Sequence, residues 1–206
     1  MKVLLINGSP KANGNTAFAL GQMEEIFTEA GVEVETIQVG NQTIRGCIGC
    51  GSCFKTKKCV FDDPVNETAR KLEKADGIVI GSPVYYAAPN GTLISFLDRL
   101  FYSTGTIDKR MKVGASVVVA RRGGCSAALD VLNKYFTISE MPIASSSYWN
   151  MIHGGKPGDA QLDAEGIRTM RNLAKNMVFL MNAIAREKET AGLPDPEKKV
   201  FTNFIR

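Results

Sequence analysis

The sequence predicts an α/β protein, a doubly wound five-stranded parallel sheet with helices on both faces. Three observations carry this. Short apolar runs alternate along the chain with longer segments whose apolar residues recur every three or four positions. The boundaries between them are rich in glycine, as turns require. At 206 residues and 44% hydrophobic composition, the chain is sized for a single core.

Taken in order, residues 2–7, KVLLIN, read as a buried strand closed by Gly8. NTAFALGQMEEIFTEAG has helical spacing and stops at Gly31. VEVETIQV alternates and is a second strand. Asp63-Pro64 supplies a cap and a first-turn proline for a helix over 64–74. DGIVIGSPVYY is a third strand running into a loop, and GTLISFLDRLF a helix. KVGASVVVA is a fourth strand ending at RRGG, followed by a helix over 124–136. MPIASSSYW is expected as the fifth strand. Over 163–186, Ile167, Met170, Leu173, Met177, Leu180 and Ile184 mark a long amphipathic helix. The expected organisation is one domain over 1–186, with a cysteine-rich loop at 46–63 and an arm at 187–206.

Charge and hydropathy exclude several function classes. The net charge of +4 is spread along the chain, unlike the concentrated basic face of a nucleic-acid binder. No run approaches the ~20 apolar residues of a membrane span, and MKVLLINGSP is too short for a secretory core. These features predict a cytoplasmic protein with no membrane or nucleic-acid partner. In that compartment clustered cysteines bind metal or do redox chemistry more often than they form stable disulfides.

In such a sheet, ligands sit beyond the carboxyl ends of the strands. The first loop there, NGSPKANGNT, runs from strand to helix, where free backbone N–H groups attract phosphate. Ser9, Asn15 and Thr16 add donors and Lys11 adds charge. The G-x-x-x-x-G-K-[ST] loop is excluded because Asn15-Thr16 follow Gly14, and G-x-G-x-x-G because position 10 is proline. The second loop, GSPVYYAAPNGTLISFLDR, combines stiff Pro83 with aromatic Tyr85 and Tyr86 and small Ala87. It suits a flat ring held by backbone hydrogen bonds. The competing reading puts both tyrosines in the core. The third, ARRGGCS, lets backbone approach a ligand at Gly123 and Gly124.

These motifs resemble the NADPH-dependent FMN reductase family, of flavodoxin-like fold, over residues 1 to about 125. GSPKANGNT is similar to its phosphate loop and GSPVYYAAPNGTLISFLDR to its isoalloxazine loop. The resemblance implies that Ser9, Lys11, Asn15 and Thr16 hold an FMN phosphate. It implies that Pro83, Val84, Tyr85, Tyr86 and Ala87 line the ring, with Gly123 and Gly124 as third-loop glycines. Arg121 and Arg122 depart from the pattern and receive no role. The expected reaction takes electrons from NAD(P)H or a ferredoxin-like donor to a small acceptor such as flavin or quinone. The alternative is an electron-transfer protein without a dedicated small-molecule substrate. A homodimer or homotetramer is implied by the same resemblance.

Four of the five cysteines fall in CIGCGSCFKTKKC, as C-x2-C-x2-C-x5-C at Cys47, Cys50, Cys53 and Cys59. With this run the closest resemblance is to the iron-sulfur flavoprotein branch, which implies a [4Fe–4S] cluster beside FMN. Short gaps with glycines between them suit wrapping a compact inorganic core, and Lys55, Lys57 and Lys58 can offset its negative charge. Zinc, redox thiols and an empty loop are the alternatives; structural zinc sites usually separate two cysteine pairs by a longer insert. Cys125 reads as a buried small residue. His153 stands alone, and a lone histidine is more often structural or solvated than catalytic.

Overall fold

The computed structural model describes residues 1–205. In chain order the strands are β1 (Lys2–Asn7), β2 (Glu33–Gln38), β3 (Gly77–Tyr85), β4 (Ala88–Pro89), β5 (Val113–Ala120) and β6 (Met151–His153). The helices are α1 (Asn15–Glu29), α2 (Ser52–Thr56), α3 (Pro64–Lys74), α4 (Gly91–Ser103), α5 (Cys125–Thr137) and α6 (Ala164–Thr190). The sheet runs β2-β1-β3-β5-β6, with β4 folded back antiparallel on the end of β3. All other pairings are parallel. This is the flavodoxin-like strand order, and it reverses direction at β1.

Period-two alternation sorts the strand residues between two apolar layers. Val3, Leu5, Val79, Val117 and Val119 meet α1 and α6 on one face. Leu4, Ile6, Ile78, Ile80 and Val118 meet α3, α4 and α5 on the other. β5 is buried along its whole length, as its β-branched run requires. Each fully buried aliphatic side chain is worth about 1.5–3 kcal/mol, so these two layers hold the strand ends in place.

Three expectations change. The fifth strand is not MPIASSSYW. That segment touches β5 only through the Gly114–Ile143 bridge, and pairing resumes at Met151–His153. Between them the chain bows outward. The Ser145 carbonyl accepts from Asn176 and the Ser146 hydroxyl donates to the Thr169 carbonyl, so α6 satisfies polar groups that a strand would have paired. The last helix runs past residue 186 to Thr190, because the residues after Ile184 are good helix formers. The segment after β3 is a two-residue hairpin rather than an open loop. Among the described residues no helix is long and apolar enough to cross a membrane.

Candidate functional site

A cleft of about 720 Å³ opens at the carboxyl ends of β1, β3, β5 and β6. Ser9, Lys11, Asn15 and Thr16 line one side of it and Pro83, Val84 and Tyr85 another. The first side is built by the start of α1. Its N-cap is Gly14, which has no side chain to offer, so the first-turn N–H groups face the cleft without a capping oxygen. Ser9 is buried, its backbone N–H held by Asn7 and its hydroxyl accepting from the Lys11 N–H at 3.1 Å. The loop is pinned from behind by Gln38, which donates to the Ser9 carbonyl at 2.6 Å. Gly40 lies directly underneath. A Cβ there would sit 2.2 Å from the Ser9 carbonyl carbon and 2.3 Å from the Gly8 oxygen.

Asn15 braces a neighbouring loop. Its amide donates to the Lys156 carbonyl at 2.9 Å and its oxygen accepts from Gly158 N–H at 3.1 Å. Asp159 accepts from the N–H groups of Gly155 and Lys156, and Asp163 from that of His153. The segment after β6 is thereby a fixed wall, and it brings His153 and Lys156 to the cleft. Arg121 also lines it; Arg122 is exposed and does not. These residues on the fifth-strand side are the part of the site that the sequence reading missed. The HGGKPG run was visible, but the strand before it was placed too early.

The opposite side is the β3–β4 hairpin. Tyr86 and Ala87 occupy its two turn positions, with φ of 50° and 59°. A two-residue turn with both central residues left-handed matches the twist of the strands, at a cost of about 1–3 kcal/mol per non-glycine residue. Neither tyrosine is in the core: Tyr85 is half exposed and Tyr86 fully exposed. Ala87 packs against Gly124, where an added Cβ would lie 2.8 Å from the Ala87 Cα, and Gly124 itself has φ +94°. Tyr86, Ala87, Gly123 and Gly124 thus stand outside the cleft lining; Ala87 and Gly124 brace its rim. Asn90 ties the parts together. It caps α4 by accepting from the Thr92 N–H, donates its own backbone N–H to the Ser82 hydroxyl oxygen, and donates its side-chain amide to the Gly8 carbonyl at 2.9 Å.

The four cysteines line one narrow cleft with Ile48, Val60, Phe61, Tyr102 and Arg99. Cys47 and Cys50 are exposed, Cys53 and Cys59 half-buried, and all four are free thiols. Burial pushes the Cys53 thiol up. α2 turns between Cys50 and Cys59, and its Phe54 packs edge-on against Tyr102 of α4. Among the described residues no three His, Cys, Asp or Glu side chains are gathered round a single ion.

Arg99, on α4, is a further residue the sequence reading missed. It is 1% exposed. Its Nε and one terminal nitrogen each lie 3.2 Å from the Cys59 sulfur. The fork pairs both oxygens of Asp63, and its remaining donor reaches the Arg45 carbonyl at 3.3 Å. Phe61 covers it at 4.8 Å. Burial works against the charge, but the bonds to Asp63 and Cys59 outweigh it and the pKa lies above the usual guanidinium value. The helical face supplies the signal that was available: Phe96 and Leu100 are buried and flank position 99. Lys55, Lys57 and Lys58, the expected counter-charges, are all exposed.

Comparison with known proteins follows the same lines. The sequence pattern of the family described as NADPH-dependent FMN reductase matches residues 1–156. An iron-sulfur flavoprotein of Methanocaldococcus jannaschii is 33% identical over 193 residues, covering 90% of this chain and 100% of the relative. An iron-sulfur flavoprotein of Methanosarcina thermophila is 28% identical over 193 residues, covering 92% and 100%. Among solved structures, an NAD(P)H:quinone oxidoreductase from Methanothermobacter marburgensis has a TM-score of 0.65 at 16% identity, over 86% of this chain and 96% of that one. At such identity the likeness is one of fold.

Proposed function

Since the chain belongs to the NADPH-dependent FMN reductase family, in its iron-sulfur flavoprotein branch, we propose that it binds FMN in the cleft above β1, β3, β5 and β6 and one [4Fe–4S] cluster at Cys47, Cys50, Cys53 and Cys59. As an NAD(P)H-dependent flavoprotein oxidoreductase, it would take electrons from NAD(P)H or a ferredoxin-like donor and pass them to a small acceptor such as flavin or quinone. The observation that carries the FMN reading is the uncapped first turn of α1, opening into a cleft beside Lys11, Lys156 and Arg121. Oriented N–H groups, three cations and no carboxylate turned free toward them form a site for a phosphate monoester. Asp159, the carboxylate there, is already bonded to two backbone N–H groups.

FMN supplies hydride and single-electron chemistry when bound. The chain's part is to hold and orient it. Ser9 and Thr16 shape the phosphate end, the stiff Pro83–Val84–Tyr85 strand end presents a flat edge, and Asn90 fixes the distance between the two. Half-exposed Tyr85 leaves one side of the cleft open, so donor and acceptor can reach the same face in turn. Four thiols round one cleft with a buried cation at hand fit an anionic cluster.

FMN binding is tested by titration against FAD, with the Asn15→Ala/Thr16→Ala variant beside wild type. FMN should bind in preference. The variant should bind at least tenfold more weakly, through a loosened Lys156 loop and a lost hydroxyl. Unchanged affinity would remove the phosphate site from this loop. The cluster is tested by anaerobic reconstitution, which should give about four irons and four labile sulfides per chain.

A second reading has its own support. Ile48, Phe54 and Val60 stand exposed around the thiols, with Lys55, Lys57 and Lys58 beside them. Such a surface suits a protein electron carrier, with no dedicated small-molecule substrate. Steady-state turnover with NADPH, compared with a reduced ferredoxin, separates the two.

A further inference from the structure

The four cysteines are not equivalent. Cys59 alone is held by side chains on both its backbone and its sulfur. Asn66 accepts from the Cys59 N–H at 2.8 Å and donates to the Cys59 carbonyl at 3.0 Å. Two guanidinium N–H groups of Arg99 point at its sulfur. By contrast, the Cys47 sulfur meets a backbone N–H, that of Gly49, at 3.5 Å, and among the described residues no side chain is bonded to it.

The donor census of Arg99 sharpens this. A guanidinium has five N–H groups. One from Nε and one from a terminal nitrogen go to the Cys59 sulfur, two go to Asp63, and one to the Arg45 carbonyl. None is left over. A neutral thiol sulfur is a weak acceptor, whereas a metal-bound thiolate is anionic and accepts strongly. Directing two donors of a buried, always-charged fork at one sulfur is repaid only where that sulfur carries negative charge. Asp63 is held in turn as the N-cap of α3, so the fork cannot swing away.

We propose that Arg99 is the positioning residue of the cysteine site: it fixes the Cys59 sulfur in place and donates two hydrogen bonds to the thiolate that ligates the cluster, making Cys59 the anchored ligand of the four. The inference rests on the cluster reading above. It deepens that reading by giving the cluster an asymmetric electrostatic surround. Hydrogen bonds and positive charge at a ligand sulfur stabilise the more reduced, more negative cluster, so Arg99 raises its reduction potential.

The test uses full-length wild type, Arg99→Lys and the double variant Arg99→Leu/Asp63→Leu, all reconstituted anaerobically. Arg99→Lys keeps a cation but loses the fork. The double variant leaves no unpaired buried charge, which guards against simple unfolding. FMN affinity, read at a site that Arg99 does not line, certifies the fold. Iron release to a chelator and the cluster midpoint potential are then measured. Both variants should bind FMN as wild type does and lose iron about tenfold faster or more. Both midpoint potentials should move to more negative values, because both variants lose hydrogen bonds to the Cys59 sulfur. If the variants bind FMN and match wild type in iron release and potential, Arg99 has no positioning role and the cluster reading stands. If wild type takes up no labile sulfide, the cluster reading fails and the role of Arg99 fails with it.

Discussion

One glycine and one tyrosine make the finest test of how the cleft is held. Gly40 has backbone of the phosphate loop at 2.2–2.4 Å from where a Cβ would stand. Gly40→Ala must displace Gly8 and Ser9. A loss of about 2–3 kcal/mol in stability is expected on a chemical melt, with weaker FMN binding on titration. Tyr86 gives a prediction of opposite sign. Its φ of 50° suits asparagine, and its side chain touches solvent only. Tyr86→Asn should stabilise the protein by about 0.5–1 kcal/mol. If Tyr86 also serves incoming acceptors, turnover falls while the melting temperature rises, a split that a purely structural residue would not show. The sequence reading named residues that line this cleft, among them Ser9, Lys11 and Pro83, because each loop follows a strand. It could not see that Asn15 would face Lys156 and Gly158, since that contact joins positions far apart in the chain.

At the scale of elements, the legible parts were those with strong local signals. The Asp63-Pro64 cap, the VVV run of β5 and the spacing of α6 each fixed an element with little help from tertiary structure. β6 was misplaced because strand-like residues run from 141 to 153; α6 bonds the serines in the middle of that run, and pairing is left to Met151–His153. Elements also meet through ion pairs. Lys2 bridges Glu33 and Glu35 of β2, and Lys71 of α3 bridges Glu35 and Glu67. The two lysines hold the Glu35 carboxyl below its usual range. Its folded pKa is depressed, so its contribution is complete above the unfolded value near 4.5 and is lost as pH falls through the lower folded one. Glu35→Gln should therefore lower the melting temperature at neutral pH. The gap should close on acidification and shrink in high salt, because these side chains are still partly open to solvent.

For the molecule as a whole, α4 joins the two sites. Asn90 at its start holds the phosphate loop and the hairpin, and Arg99 holds Cys59. Nine residues of helix separate them, about 13 Å at 1.5 Å per residue. The prediction is that FMN and the cluster bind to one cooperative unit. Saturating FMN at about 100 times its Kd should stabilise the whole chain by about 2.7 kcal/mol, and a single transition should carry both the flavin and far-ultraviolet signals. The arm is the counterexample. Val200, Phe201, Phe204 and Ile205 are exposed, and Arg110 bonds the Pro194 carbonyl. Removing residues 196–206 should change stability by less than about 0.5 kcal/mol, as measured by denaturant titration.

The saturation of the Arg99 fork also constrains how such sequences can diverge. A guanidinium with no idle N–H cannot lose one partner and re-form its bonds elsewhere. A lineage that discards the fourth cysteine is left with two donors facing an empty apolar wall, and replacement of the arginine then becomes advantageous. Across related chains, Cys59 and Arg99 should therefore disappear together, with Asp63 retained on its own wherever α3 still needs its cap. An alignment in which the arginine persists after the cysteine has gone would show that the fork is kept for Asp63 alone.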